Sequence, residues 1–208
     1  MSNASATARG LLFFRRFLRD PRAVGAICPS TRHLGAAMLR ELALGPGDVI
    51  VEYGAGTGSL TQVIGPFAAS VGARYLGIER EAHFCAVLAE RFPQLDFAEA
   101  QVEDVRALLA DRGLPPPRAI VSGLPLILLP AMREIVQTTE AVLQPGGEFR
   151  TFSYLQSYVT PAAGRLRQMM RELFPEFAIR GPVLRNFPPA LVLCGRKAQQ
   201  PQSAAACG

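Results

Sequence analysis

The chain has 208 residues, 49% of them apolar and 19% charged, a globular composition long enough for one domain with a full-sized core. No apolar run approaches the ~20 residues that span a bilayer, and Leu11–Leu18, broken by Arg15 and Arg16 and lacking a cleavage site, does not read as a secretory signal. The net charge is +5, and five arginines (Arg9, Arg15, Arg16, Arg19, Arg22) against Asp20 place +4 of it before residue 25, so basicity is expected in that one segment, facing lipid or nucleic acid.

Residues 1–9 are small and polar and read as disordered. Residues 10–20 have a helical pattern, with Leu11, Phe13, Phe14, Phe17 and Leu18 on one face and Arg15, Arg16 and Arg19 opposite, beside Leu12. Such a helix lies in an anionic membrane interface or packs over the domain with its arginines in water. After a loop over 25–30, Thr31–Leu44 reads as a second helix capped by Ser30 or Thr31, which closes an N-terminal extension over 1–44. Strands and helices then alternate over 45–197. Strands are predicted at 49–52, 75–79, 95–99, 119–122, 148–154, 177–185 and 190–196, and helices from about 59, at 82–91, 102–110, 131–142 and 164–173. This predicts an α/β fold: one doubly wound, Rossmann-like sheet of seven strands, mostly parallel, with an antiparallel strand near the C-terminus. A tail over 198–208 is polar and loose. Cys28, Cys85, Cys194 and Cys207 lack metal-ligand spacing, so no metal is expected.

The run Val49-Ile50-Val51-Glu52-Tyr53-Gly54-Ala55-Gly56-Thr57-Gly58 carries the chemistry. It is a buried strand entering a glycine turn, with helix amides pointing back at the turn. A dinucleotide turn needs G-x-G-x-x-G. Here the order is G-x-G-x-G, with Ser59 where a third glycine would stand, and Glu52 at the strand tip would repel a pyrophosphate. A carboxylate there suits a cationic head, such as the sulfonium and ammonium of S-adenosylmethionine (SAM). The motif resembles motif I of class I SAM-dependent methyltransferases. Glu79 ends the next strand, 21 residues past Gly58, where an acid accepts from ribose hydroxyls. Glu52, Glu79, Gln101 and Ser122 all fall at or just past strand ends, so one mouth collects the candidates.

Four further segments sharpen the resemblance: Ala23–Ser30, Val121-Ser122-Gly123-Leu124-Pro125-Leu126, Phe152-Ser153-Tyr154 and Arg185-Asn186-Phe187-Pro188-Pro189-Ala190. Together with motif I they make residues 13–196 look like the bacterial phospholipid N-methyltransferases, which methylate phosphatidylethanolamine stepwise towards phosphatidylcholine. The resemblance implies a cofactor site built from Ile27, Pro29, Ser30, Glu52, Tyr53, Gly54, Gly56, Thr57, Gly58, Glu79, Arg80, Gln101, Val102, Ser122 and Gly123. Gln101 stands where relatives carry an Asp that meets the adenine amino group, and its carbonyl retains the acceptor. At the amine end the resemblance implies Ser122, Leu124, Pro125 and Tyr154. Tyr154 is an acceptor that orients the amine, an aromatic wall for a quaternary ammonium, or a packed tyrosine, with Tyr53 the second aromatic candidate. Arg15, Arg16, Arg19, Arg185 and Asn186 are candidate lipid contacts, the last two alternatively finishing a strand. His33 and His83 are expected at the surface or packing helices.

The same motifs are similar to ribosomal RNA adenine dimethyltransferases. Those enzymes place Asn or Asp, then Pro and an aromatic, after strand four to tether and stack a flipped base. Ser122-Gly123-Leu124-Pro125-Leu126 lacks both the amide and the aromatic, which disfavours nucleic acid. The expected protein is a peripheral enzyme on the inner face of the cytoplasmic membrane, docked on anionic lipid by helix 10–20, with RNA or a small amine as the alternative acceptor.

Overall fold

The computed structural model describes residues 29–199, with side chains from Arg32 onward. Helix 10–20, its Arg15, Arg16 and Arg19, the candidate Ile27, the side chains of Pro29 and Ser30, and residues 200–208 lie outside the described residues. The strands are β1 (Val49–Tyr53), β2 (Arg74–Glu79), β3 (Asp96–Glu99), β4 (Ala119–Ser122), β5 (Glu148–Tyr154), β6 (Glu176–Val183) and β7 (Ala190–Arg196). They form one sheet in the order β3-β2-β1-β4-β5-β7-β6. β1 to β5 run parallel, and β7 is antiparallel to both β5 and β6. The order reverses between β1 and β4, which opens a crevice beyond their carboxyl ends.

β1 is buried along all five residues, as a central parallel strand covered on both faces must be. Val49, Val51 and Tyr53 face one layer, where Ile120, Phe149, Val136 of α5 (Met132–Val142), and Leu166 and Met170 of α6 (Pro161–Leu173) pack. Ile50 faces the other, with Leu34 and Met38 of α1 (Pro29–Leu39) and Ile64 of α2 (Thr61–Ser70). The remaining helices are α3 (Ala82–Arg91) and α4 (Val105–Asp111), the latter entered through a 3-10 turn over Val102–Asp104.

The predicted strands recur to within a residue or two. Helix 31–44 does not: α1 already includes Pro29 and Ser30, so neither Ser30 nor Thr31 is its cap, and it stops at Leu39. Glu41 turns left-handed (φ 59°), which drops Leu42 into the core. The cause lies in the sheet. The wholly buried guanidinium of Arg150 on β5 donates to the Met38 and Arg40 carbonyls at 2.9 and 2.6 Å, taking the carbonyls at the end of α1. Glu148 neutralises it through Nε (3.0 Å) and Nη2 (2.5 Å) and also accepts from Arg196 at 2.9 Å. α6 starts at Pro161, three residues before the predicted start, because the Thr160 hydroxyl accepts from the Ala163 N–H and Pro161 opens the first turn. β6 ends at Val183 after a register shift beyond Arg180, where Pro182 has no N–H to give the ladder.

Arg150→Ala should strand Glu148 and the end of α1 together. Urea unfolding is expected to show a loss of about 3–5 kcal/mol, the usual cost of breaking a buried pair from one side.

Candidate functional site

The carboxyl end of β1 turns through Gly54, Gly56 and Gly58, all at positive φ (69°, 54° and 84°). The turn is tied to its neighbours: Gly54 N–H donates to Ile78 C=O on β2 (2.9 Å), and Gly123 N–H after β4 donates to Tyr53 C=O (2.8 Å). A Cβ at Gly54 would lie 2.4 Å from Leu124 Cδ2, and one at Gly58 would lie 2.4 Å from Phe92 Cε2. Gly54 therefore serves the approach of β4, and Gly58 the packing of Phe92 under the turn.

A cavity of about 610 Å³ opens above this turn. Its first half is lined from β1, β2 and β3 by Glu52, Gly54, Gly56, Thr57, Glu79, Arg80, Gln101 and Val102. Its second half is lined by Gly123, Leu124, Pro125, Phe152, Tyr154, Asn186 and Phe187, with Leu129, Pro130, Ala131 and Ile135 from the entry to α5.

Glu52 is buried at 1% exposure. Its Oε2 accepts from Tyr75 Oη at 2.6 Å and Thr61 Oγ1 at 2.9 Å, while Oε1 is buried without a partner among the described residues. Burial pushes the carboxyl up to about 7, against hydrogen bonds from Tyr75 and from the side chain and backbone of Thr61 that favour its charge. Glu79 is held differently. Its Oε2 accepts from Gly56 N–H (2.9 Å) and its Oε1 from the Arg80 and Glu81 amides (2.9 and 3.0 Å). These bonds fix the carboxylate at the cavity wall, with acceptor capacity to spare for a hydroxyl.

The remaining candidates divide. Gln101 is exposed on the wall and Val102 opens the 3-10 turn beside it. Tyr154 is half-buried and stacks edge-on against Phe152, ring centroids 5.3 Å apart, making an aromatic corner. Three sequence candidates do not reach the cavity. Tyr53 points to the opposite layer, fully buried beside Thr139, and burial pushes its phenol well up. It is no aromatic wall. Ser122 is fully buried outside the lining, and its Oγ accepts from Leu124 N–H at 3.3 Å, so it shapes the turn. Arg185 is exposed outside the lining, and Asn186, at the rim, spends its amide on Pro188 C=O (2.6 Å). His33 is exposed on α1. His83 is exposed, but on the cavity rim, tilted against Phe84 at 5.7 Å. Phe84, Leu129, Pro130 and Ile135 were not singled out from sequence. The helical periodicity that predicts α3 and α5 does not say which face meets the crevice. No group of three or more His, Cys, Asp and Glu converges among the described residues.

No protein-family model matches the chain. It is 30% identical over 185 residues to an ornithine lipid N-methyltransferase of Singulisphaera acidiphila, a match covering 86% of this chain and 91% of the relative. The chain belongs to the ornithine lipid N-methyltransferase family. It is a SAM-dependent N-methyltransferase. The ribosomal RNA small subunit methyltransferase A of Thermotoga petrophila is also 30% identical, but over 115 residues, 55% of this chain and 42% of the relative. Among solved structures, the 1,6-didemethyltoxoflavin-N1-methyltransferase of Burkholderia thailandensis, with S-adenosylhomocysteine bound, superposes at a TM-score of 0.62 over 94% of this chain and 89% of its own, at 20% identity.

The methyltransferase's residues fit the cofactor. Glu52 lines the cavity and has one buried carboxylate oxygen without a partner among the described residues, which a bound ammonium or sulfonium would satisfy. Glu79 offers hydroxyl acceptors one strand away, and Ile78, Phe84, Ala100 and Val102 supply apolar walls for a purine. When bound, SAM supplies an electrophilic methyl group. The protein supplies the fixed turn that holds it in place.

A cation beside Glu52 favours its ionised form, so cofactor binding should release a proton below pH 7. Calorimetry with S-adenosylhomocysteine is expected to show binding tightening about tenfold from pH 6 to pH 8. Glu52→Gln should flatten that dependence and weaken binding at pH 8, while Tyr75→Phe should move its midpoint to higher pH. The folded-state pKa of Glu52 lies above its unfolded value. Its contribution to stability is therefore full below about 4.5 and is lost as pH rises through 7. Glu52→Gln should remove that fall from the melting profile of the ligand-free protein.

Proposed function

We propose that the protein methylates the primary amine of a membrane lipid headgroup. The carrying observation is the acceptor half of the cavity. Leu124, Pro125, Leu129, Pro130 and Phe152 line it, with Tyr154, Asn186 and Phe187 at the mouth and neither a carboxylate nor a histidine among them. A nucleobase would leave its polar edge unpaired against such walls. An alkyl amine on a lipid stem presents methylenes to them. It arrives largely protonated and gives its proton to solvent at the open mouth. Acceleration then comes from aligning nitrogen with the methyl group, and each round leaves a more substituted cation for aromatic faces to hold.

Two headgroups share this chemistry. The name of the relative in Singulisphaera supports ornithine lipid. The motif set read from the sequence supports phosphatidylethanolamine, methylated stepwise towards phosphatidylcholine. On this reading the enzyme works on the inner face of the cytoplasmic membrane. Helix 10–20, with Arg15, Arg16 and Arg19, holds the anionic surface.

Radiolabelled SAM should be supplied with vesicles containing ornithine lipid, or the ethanolamine, monomethyl- or dimethylethanolamine phospholipid, and separately with ribosomal RNA. Label is expected in one lipid class. Label in RNA alone, or none in lipid from protein that binds the cofactor, would sink the proposal. Tyr154→Phe should keep kcat/KM within a few-fold if the ring serves as a wall. Tyr154→Ala should lose roughly 3- to 30-fold, most on the dimethyl substrate, in line with cation–π contacts of about 0.5–2 kcal/mol.

A further inference from the structure

Among the described residues, the large apolar side chains that stand exposed all fall in two loops at one end of the sheet. Leu155 (42%) and Val159 (88%) follow β5, while Leu184 (71%) and Phe187 (80%) lie between β6 and β7. The loops are joined: Leu155 N–H donates to Pro189 C=O at 2.8 Å, and Tyr154 pairs with Ala190 in the sheet. Phe187 also lines the cavity, so the patch is continuous with the mouth. Single exposed apolar residues are ordinary, but a group of them around a site opening marks an interaction surface.

The charge around this rim corrects the expectation that basicity is confined to the N-terminal segment. The +1 beyond residue 24 is a balance between two blocks. Residues 25–148 hold nine arginines against fourteen carboxylates, a net −5. Residues 149–208 hold seven arginines and Lys197 against Glu172 and Glu176, a net +6. Neither loop, 155–160 or 184–189, contains a carboxylate. Arg185 is exposed between Leu184 and Phe187, and Arg167 lies 3.9 Å over the Tyr158 ring, donating to its carbonyl at 2.7 Å.

We infer that this rim is a second membrane-binding element, which sinks Leu155, Val159, Leu184 and Phe187 into the interface of an anionic bilayer and sets the cavity mouth at headgroup depth. Its purpose rests on the amine-lipid reading. A protein seated on the rim would close the mouth through which the acceptor must enter. A bilayer presents the acceptor there, and its phosphates complement the arginines.

The full chain contains no tryptophan, so Val159→Trp introduces a single reporter. With vesicles of phosphatidylglycerol and phosphatidylcholine, which carry no substrate amine, its emission should shift to the blue and be quenched by lipids brominated near the headgroup. The double variant Val159→Glu/Leu184→Glu, at positions outside the cavity lining, should partition to these vesicles at least about tenfold more weakly. Its binding of S-adenosylhomocysteine should be unchanged. An unquenched indole, or a double variant that partitions like the parent protein, overturns the inference. So does a blue shift without vesicles that grows with protein concentration, which would make the rim a contact between copies. If the rim dependence holds while no lipid accepts a methyl group, the substrate reading fails alone.

Discussion

Glu52 sits on the central strand of the sheet, where every residue is buried, and a carboxylate in that position is costly unless its oxygens are met. Oε2 is met twice, by Tyr75 from β2 and Thr61 from the start of α2. Oε1 has no partner among the described residues, and Glu52 lines the cavity. The strand, turn and helix of motif I thus hold a half-satisfied anion, and the ligand that completes it must bring a cation. Selectivity against a pyrophosphate follows from the same arrangement, because a buried anion so close to the turn repels a second one. Tyr75 and Thr61 hold the other oxygen, and Gly54 and Gly58 let Leu124 and Phe92 close against the turn.

Arg150 shows the opposite handling of a buried charge. Glu148 neutralises its guanidinium, and the carbonyls ending α1 accept from its Nη1. Four of its five N–H donors are met within the protein, and the result is a fixed joint between β5 and α1. That joint matters to the cavity, since Leu34 of α1 contributes to its wall and β5 continues into Phe152 and Tyr154. Internal pairing on every nitrogen makes Arg150 an anchor, whereas a carboxylate with one oxygen unmet makes Glu52 a candidate site.

The strands were legible because central parallel strands are continuous apolar runs, and the glycine turn was legible because its spacing has few physical uses. The sidedness of single residues was harder. Glu52 and Tyr53 are adjacent on a strand, so their side chains point to opposite faces of the sheet. Alternation does not decide which of them lines the cavity, because the crevice beyond the strand ends takes Ile78 and Glu79, neighbours on β2, from both faces. Tyr53 and its partner Ser122 across β1 and β4 lie outside the lining. The end of α1 was not legible, because the group that stops it is Arg150, more than a hundred residues away in sequence. The aliphatic entry to α5 was hidden for a similar reason: Leu129, Pro130 and Ile135 look like any helix approach until the crevice is placed beside them. Charge blocks of opposite sign also cancelled in the total, which concealed the basic C-terminal third.

That polarity runs along the path a lipid amine would take. At the rim, arginines and apolar side chains suit phosphate and acyl carbon. Further in, the walls are apolar and aromatic, and at the far end two carboxylates stand on adjacent strands. A zwitterionic or anionic headgroup entering this gradient leaves its anion with the arginines outside and advances its ammonium inward. The amine must still lose its proton before it can attack, and apolar walls such as Leu124, Pro125, Leu129 and Phe152 favour the neutral form. On the amine-lipid reading the product is again a cation, and methyl groups added in further rounds would match the aromatic corner of Phe152 and Tyr154 better than water does. A corner that retained a partly methylated amine for another round would also resist release of the last product, so the balance between those two steps would set how many methyl groups one encounter delivers.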